Sequence, residues 1–338
     1  MAQDSTARKP SVIGYPIGFY SPETRFGVGL ALAYNFYIDR KDTISPASQI
    51  LFGLGFTQNN QTIFSLPFDF YLKERKHQIS GEFSYTDFMY NFYGVGDMKD
   101  VNEKFEVQFP RFRLNYLRKV RSHFFVGARW WYEKYDIRKT EEFGLLQSGL
   151  IEGGEGNTTS GPGLVVLFDT RDNVYASTTG HYLEVVFHNQ DKIWGSDYAY
   201  NRYRFDYRTF HTVRRRQTLA FNLFGDFVSG SVPFNQLPLI GGAKRMRGFY
   251  EGRYRDRNLL LAQFEYRKQI FKRWGINAFV NNAWLSSDLY DFNNHDSHLA
   301  VGAGIRYFFD TEKKVHLRFD VAFSNQVPAY YLTIGEAF

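Results

Sequence analysis

The chain of 338 residues has no cysteine and only 10 prolines. The lack of cysteine excludes a disulfide framework and a thiolate metal site. It also suits an oxidising compartment such as the periplasm, where a free thiol is a hazard. No stretch approaches the roughly 18 consecutive apolar residues that a membrane-spanning helix needs. A scan for such helices would therefore class the protein as soluble.

The sequence also lacks a dense run of basic residues, although its formal charge is +6. Its 41 Lys and Arg are scattered among 35 Asp and Glu, so we do not expect nucleic-acid binding, which needs a clustered basic surface. Between Arg202 and Arg208 the charged residues alternate with Tyr203, Phe205 and Tyr207. This alternation predicts a strand with one face towards a wet interior.

Aromatic residues are abundant, at 19% of the chain, and such side chains favour pleated sheets. Within Arg25–Ile38 the even positions carry large apolar or aromatic residues, whereas the odd positions are mostly small or polar. The same alternation recurs over 258–270, 297–308 and 314–324. A period of two residues predicts β-strands whose two faces meet different surroundings.

Two features favour a barrel in lipid over a soluble β-sandwich. Many predicted strands are about twice the usual length of about 5–6 residues, and their polar faces carry both charge signs and many glycines, as in a hydrated lumen. We therefore predict an all-β fold, a transmembrane antiparallel β-barrel of about sixteen strands. The predicted strands are 12–20, 25–38, 47–58, 62–73, 76–88, 104–118, 122–135, 159–168, 180–190, 198–211, 216–228, 258–270, 273–284, 297–308, 314–324 and 329–338, with a bulge in the sixth, which contains Pro110.

The connections between these strands fall into two classes. One class is mostly tight, whereas the other includes long loops at 89–103, 136–158, 229–257 and 285–296. Short periplasmic turns and long extracellular loops are typical of bacterial outer-membrane barrels. An even number of strands then places both termini in the periplasm.

These patterns predict two regions. Residues 1–11 would form a short periplasmic N-terminal segment, and 12–338 the outer-membrane β-barrel. The N-terminus has no apolar signal core, so we expect that an export signal has been removed.

Three stretches together carry a family resemblance. Leu239–Gly242 leads into Arg245–Phe249, which reads Arg-Met-Arg-Gly-Phe, and a strand that contains Glu265–Arg267, or Glu-Tyr-Arg, follows. This order resembles the Omp85 superfamily, whose hallmark is a Val-Arg-Gly-Phe/Tyr motif at the tip of a long loop before a strand that ends in Glu-Tyr-Arg. Met246 stands in place of the usual Val.

The resemblance implies that the long loop folds into the barrel lumen, where Arg247 meets acidic groups of the inner wall. Glu265 would be one partner, because a carboxylate can accept two hydrogen bonds from a guanidinium. Asn281 occupies the position of the family's second acidic partner. Gly248, before Phe249, would permit a tight turn with positive φ. The alternative is that Arg247 is a solvated loop arginine.

A second match is a turn with Asp169, Arg171, Asp172 and Gly180, which resembles the family's Asp-x-Arg-Asp…Gly turn without the usual Pro before the Gly. Read without the family, it is an ordinary polar turn whose side chains cap the backbone. We expect this structural role in either case.

A third match is the end of the chain, where Tyr330, Leu332, Ile334 and Phe338 alternate with other residues. The pattern resembles the C-terminal signal that is read during outer-membrane assembly, although Glu336 breaks the apolar alternation.

Signals for catalysis are poor. No Gly-x-Ser-x-Gly nucleophile elbow is present, and Gly153–Asn157 is not followed by a helix start, so it is no phosphate cradle. A loop pair such as His295 and His298 is common and has no further placed ligands. We therefore expect no enzyme activity, no catalytic residues, no metal and no cofactor.

The resemblance implies a role in outer-membrane protein insertion, assembly or translocation. Family members usually carry periplasmic POTRA modules, and we expect this chain to have none of its own. In the implied mechanism, a weak seam between the first and last strands opens so that a client strand can pair by β-augmentation. The expected partners are outer-membrane lipid, assembly machinery, periplasmic or lipoprotein partners and client barrels, with no nucleic acid. The alternatives are an accessory barrel in a larger envelope complex and a passive anion-preferring pore.

Overall fold

The computed structural model describes residues 10–338 apart from 40, 43, 97, 99, 175, 293–296, 312 and 313. Most of the predicted N-terminal segment, up to residue 9, lies outside the described residues. Within the described part of the chain, no helix is both long and apolar enough to cross a membrane.

Long alternating segments of the sequence form the strands. The strands are β1 Ser11–Ser21, β2 Arg25–Phe36, β3 Ser48–Thr57, β4 Thr62–Leu72, β5 His77–Phe92, β6 Glu103–Arg121, β7 Phe124–Lys139, β8 Asn157–Asp169, β9 Gly180–Gln190, β10 Tyr200–Arg214, β11 Gln217–Gly230, β12 Leu239–Ile240, β13 Tyr254–Arg255, β14 Asn258–Gln269, β15 Trp274–Ser286, β16 Ser297–Asp310, β17 Val315–Phe323 and β18 Ala329–Ile334. In the described part of the chain, three short 3₁₀ helices occupy Leu145–Gln147, Lys192–Trp194 and Phe234–Gln236.

All strands except β12 and β13 join in one closed antiparallel barrel of sixteen strands, in which each strand pairs with its neighbour along the chain and β1 meets β18. The prediction of a sixteen-stranded antiparallel barrel is confirmed. Most predicted strand ends lie within a few residues of the observed ones. The last predicted strand, 329–338, is too long, because β18 ends at Ile334 and Gly335 then adopts a φ of 79°.

The pairing of the sixth strand does contain irregularities, as predicted, but none of them is at Pro110. The pairing of β6 with β7 keeps one register from Gln108 to Arg111, and its register shifts lie between Glu106 and Val107 and between Lys119 and Arg121. A proline in a strand removes one ladder hydrogen bond, and this loss does not require an extra residue in the strand.

The two faces of each strand meet different surroundings, as β2 shows. Phe26 and Val28 are each 67% exposed, whereas the small Ala31 and Ala33 on the other face are buried. A soluble sandwich would bury the large apolar side chains and expose the small or polar ones. The outward apolar face therefore fits a lipid environment, and the small and polar face lines the lumen.

The seam between β1 and β18 is the weakest junction of the barrel. Within the described residues the two strands pair only at Tyr20 and Leu332, whereas β1 pairs with β2 along its whole length. Further along β1, the ring of Tyr15 lies 5.8 Å from that of Phe309 in β16. This part of β1 has a side-chain contact with β16 in place of backbone pairing, because β18 ends before it.

Candidate functional site

The segment between β11 and β14 crosses the lumen. It starts against the wall formed by β5–β7, where the ring of Phe234 lies 5.3 Å from Phe92 and 5.8 Å from Phe105. The short β12–β13 hairpin follows. On the opposite wall, Met246 and Phe249 join an apolar cluster with inward-facing residues of β11, β14, β15 and β16. We call residues 231–257 the plug loop.

Arg247 lies at the tip of the plug loop and is completely buried. Its Nη2 donates to Oε2 of Glu265 on β14 at 2.6 Å, and its Nη1 donates to Oδ2 of Asp320 on β17 at 2.5 Å. The guanidinium also stacks on Phe279, 3.5 Å from the ring centre. Charge-assisted hydrogen bonds of this length are strong, so one side chain joins the loop to two strands of the wall.

The structure thus brings Arg247 and Glu265 together, but it does not place Asn281 in the partner position. Asn281 is fully buried, and neither polar atom of its side chain has a hydrogen-bond partner in the described part of the chain. Asp320 provides the second carboxylate instead. The signal for it was present in the sequence, because Asp320 lies on the polar face of a predicted strand, but alternation does not tell which inward residues meet across the lumen.

A wider network of buried charges surrounds these contacts. Arg306 on β16 donates to Glu265 at 3.0 Å, to Asp320 at 2.7 Å and to Glu336 at 3.0 Å. Arg267 on β14 donates to Glu265 at 3.0 Å. Buried ions need partners on several sides to offset the loss of hydration, and here every carboxylate of the network meets at least two arginines.

Glu336, which interrupts the apolar alternation at the end of the sequence, belongs to this network. After β18 the chain turns inward. There the Glu336 carboxylate forms an ion pair with Arg306 and lies 3.3 Å from Nε2 of His316. Burial alone would raise the pKa of Glu336, but Arg267 and Arg306 outweigh burial and hold that pKa well below its usual range.

The C-terminal pattern is therefore divided between two locations. Tyr330 and Ile334 are exposed on the outer face and Leu332 lies in the same strand, whereas Phe338 lies beyond the strand, with its ring 5.2 Å from the Arg267 guanidinium. The terminal aromatic residue does not continue the strand, because the preceding turn redirects the chain into the lumen.

The backbone beside Arg247 is held as well. Gly248 has a φ of 111°, and its N–H donates to the hydroxyl of Tyr331 on β18 at 3.0 Å. Ser324 donates to the Gly248 carbonyl at 2.8 Å. A Cβ atom added at Gly248 would lie 2.9 Å from Cβ of Ala300. Glycine meets both demands, positive φ and close approach to the wall.

A second attachment joins the plug loop to the other side of the seam. The N–H of Glu251 donates to Oε1 of Glu23, in the turn between β1 and β2, at 2.8 Å. Burial raises the pKa of Glu23. The pKa of Glu251 is raised to about 7, mainly by enclosure in the barrel and secondly by the nearby Glu23 carboxylate. Three arginines oppose that rise, namely Arg111, Arg245 and Arg255. The plug loop therefore contacts β18 on one side of the seam and the turn that follows β1 on the other.

The turn between β8 and β9 is built by its own polar side chains. Arg171 donates two hydrogen bonds of 2.9 Å to Asp169. Asp172 accepts from the N–H and the hydroxyl of Thr178 at 2.8 and 2.6 Å. Gly180 has a φ of 102°, and an added Cβ would lie 2.3 Å from a backbone oxygen. These contacts cap the backbone of the turn and reach no residue of the plug loop.

His298 also has a packing role, since its ring stacks on Tyr254 of the plug loop with 3.9 Å between ring centres. His295 lies outside the described residues.

Comparisons with solved structures show the same barrel in other proteins. BamA from Haemophilus ducreyi lacking POTRA domains 1–3 superposes with a TM-score of 0.64 at 13% identity, covering 96% of this chain and 70% of that one. CdiB from Acinetobacter baumannii gives a TM-score of 0.65 at 10% identity, covering 96% and 59%. CdiB from Escherichia coli gives 0.64 at 12% identity, covering 96% and 62%. The chain thus spans about three fifths of the length of the two CdiB proteins.

No curated protein sequence matches the chain. The Omp85 superfamily domain matches residues 13–338, which is nearly the whole barrel. This β-barrel fold is typical of bacterial outer-membrane proteins. The chain belongs to the Omp85 superfamily.

Proposed function

We propose that this protein takes part in the insertion, assembly or translocation of polypeptides at the bacterial outer membrane, and that it acts by opening the seam between β1 and β18. The observation that carries the proposal is the single residue pair, Tyr20 with Leu332, that joins the two strands in the described part of the barrel. An unpaired strand edge is a template onto which another strand can add.

The length of the free edge supports this role. Leu332 is opposite Tyr20, so the antiparallel register places Ile334, the last residue of β18, opposite Gly18. The part of β1 before Gly18 thus has no backbone partner on the β18 side among the described residues. A client strand could pair with this edge without first displacing a full ladder of hydrogen bonds.

The plug loop supports the same role over that of a passive pore. It crosses the lumen and packs against opposite walls through Phe234 and Phe249, which leaves little room for free diffusion. Its attachments at Arg247 and Glu251 also lie on the two sides of the seam. Release of one attachment would allow the seam strands to separate while the loop remains held by the other.

The orientation follows the usual arrangement of such barrels. We place both termini in the periplasm and the plug loop at the extracellular end. The partners would be outer-membrane lipid, other envelope proteins and client barrels. The mechanism requires strand exchange and no catalysed covalent step.

The test is a reversible crosslink across the seam. Tyr20→Cys with Leu332→Cys is suitable because the two residues are paired and the chain has no native cysteine. The control is Leu30→Cys with Leu54→Cys, a pair between β2 and β3. Each oxidised or reduced variant is reconstituted into liposomes and supplied with a urea-unfolded outer-membrane barrel, and client folding is followed by its shift on a gel.

We expect the Tyr20–Leu332 crosslink to abolish client folding above the level of empty liposomes, and reduction to restore it. The control crosslink should have no effect, because it closes a junction that is already fully paired. Full activity with the seam crosslinked would refute the opening mechanism and favour an accessory barrel, since a scaffold does not need a movable seam.

A further inference from the structure

A cavity of about 580 Å³ lies in the lumen between the plug loop and the strands β6, β10 and β11. Seven lysine and arginine side chains line it among the described residues, against four carboxylates. Counted over side chains alone, the lining therefore has three positive charges in excess when all four carboxylates are ionised.

Three of the four carboxylates form ion pairs with four of the seven cations. Arg111 pairs with Glu133 at 2.5 Å, and Arg202 and Arg204 share Asp226 at 2.7 and 2.9 Å. Arg208 pairs with Asp206 at 2.6 Å in the same way. These ion pairs give each carboxylate of the cavity wall a partner, with one exception. Glu251, the fourth carboxylate, lies within 4.0 Å of no cation in the described part of the chain.

Arg113, Lys244 and Arg245 have no ion-pair partner among the carboxylates of the cavity lining. Arg113 forms a long ion pair of 3.8 Å with Glu82, which lies outside that lining. Arg245 stacks on Phe224, 3.8 Å from the ring centre. Within the described residues, neither Lys244 nor Arg245 has a carboxylate within the ion-pair distance of 4.0 Å.

The surroundings of Lys244 and Arg245 disfavour their charged forms. Burial, followed by the nearby Arg204, lowers the pKa of Arg245 to about 10. Lys244 is open to the lumen, and its enclosure within the barrel, followed by the nearby Arg318 and Arg208, lowers its pKa. The buried Nε atoms of Arg113 and Arg204 have no hydrogen-bond partner among the described residues. Like charges gathered at one site disfavour one another's charged form, and an anion bound among them would offset this repulsion.

We propose that this cavity binds a multivalent oxyanion of the phosphate or sulfate type, held by Arg113, Lys244 and Arg245. Guanidinium groups match the geometry of such oxyanions with paired hydrogen bonds, and an ammonium adds a point charge. The oxyanion could be free or could be the headgroup of a phospholipid. Arg245 and Lys244 belong to the plug loop and Arg113 to β6, so the bound anion would join the loop to the wall opposite Arg247.

The experiment measures anion binding to the folded barrel, which is purified in a zwitterionic detergent without phosphate or sulfate. Sodium sulfate, pyrophosphate and, as a monovalent control, chloride are titrated by calorimetry at constant ionic strength. The test variant is Lys244→Gln with Arg245→Gln. The matched control is Arg253→Gln, a plug-loop arginine that stacks on Tyr93, 4.5 Å from its ring centre, and does not line the cavity.

We expect saturable binding of sulfate and tighter binding of pyrophosphate, with affinity at least tenfold weaker in the double variant and unchanged in Arg253→Gln. The shift of the heated sample on a gel shows whether each variant is folded. If the double variant does not fold, the single variant Arg113→Gln takes its place in the same titration, because it removes a ligand from the wall and leaves the loop sequence intact.

A further arm separates the two sources of the oxyanion. Short-chain phosphatidic acid, with short-chain phosphatidylcholine as its control, is titrated beside pyrophosphate. Binding of pyrophosphate alone assigns a free anion, and binding of phosphatidic acid assigns a lipid headgroup. The proposal is overturned if no multivalent anion binds saturably, or if the double variant and the Arg113→Gln variant bind as tightly as the unaltered protein.

Discussion

The Arg247→Ala substitution tests how the plug loop is held on the barrel wall. It removes the hydrogen bonds of 2.6 and 2.5 Å to Glu265 and Asp320 and the contact with Phe279. Loss of one partner from a buried ion pair costs about 3–5 kcal/mol. The side chain is fully buried, so solvent does not replace these contacts.

The free-energy cost should lie at the lower end of that range, because Arg306 continues to pair with Glu265 and Asp320. We expect a loss of about 3 kcal/mol. At about 1.4 kcal/mol per factor of ten, this raises the fraction of molecules with a released loop roughly a hundredfold. Arg253→Ala is the control. Arg253 stacks on Tyr93 and Tyr254, and such contacts contribute about 0.5–1 kcal/mol at accessible sites.

Two measurements test this expected loss of stability. Equilibrium unfolding in detergent gives the change in free energy of the whole barrel, and proteinase K cleavage within residues 231–257 reports release of the loop. When opening and closing are fast, the cleavage rate tracks the open fraction. Proteinase K is preferred to trypsin, since neither substitution then removes the cleavage site. Equal effects of Arg247→Ala and Arg253→Ala on both measurements would refute the reasoning and indicate that Arg247 is a solvated loop residue.

Three further predictions follow from the same structure. The purified protein should migrate differently on a gel before and after boiling, because a closed barrel satisfies its backbone groups internally and resists detergent. Its circular dichroism spectrum should be mainly that of β-structure. Identical migration together with a helical spectrum would contradict the fold. Glu251 is open to the lumen, but its enclosure within the barrel and the nearby Glu23 carboxylate raise its pKa to about 7, above the value of about 4.3 in an unfolded chain. Protonation of Glu251 therefore stabilises the folded state, and this stabilisation is complete below pH about 4.3 and is lost as the pH rises through about 7. The melting temperature should fall between pH 5 and 8, and Glu251→Gln should remove part of that fall. An unaltered pH profile in the variant would contradict this role of Glu251. Gly248→Ala should destabilise the barrel by about 1–3 kcal/mol, because φ is 111° and the new Cβ meets Ala300 at 2.9 Å. Gly195→Ala, at a φ of 82° with nothing within 4 Å, should cost less in the same unfolding measurement, and equal losses would show that contact with the wall is unimportant.

Much of the architecture could be predicted from the sequence because it depends on local periodicity. A strand between lipid and a wet lumen must alternate along its own length, so the bounds of β2, β9 and β14 are readable from neighbouring residues. The pairing of Arg247 with Glu265 could also be anticipated, but only through the family resemblance of the loop motif.

The remaining features depend on which strands meet around the barrel, and alternation contains no such information. Asp320 is 73 residues from Arg247 along the chain, and only the position of β17 in the closed barrel places it beside the loop tip in preference to Asn281. The inward turn after Ile334 likewise depends on tertiary contacts, because it lets Glu336 form ion pairs with Arg306 and Arg267 in the lumen. The sequence by itself determined a sixteen-stranded barrel with an outward apolar face. Only closure of that barrel decided the charge network and the pairing of Tyr20 with Leu332 at the seam, because both are made by residues distant in the chain.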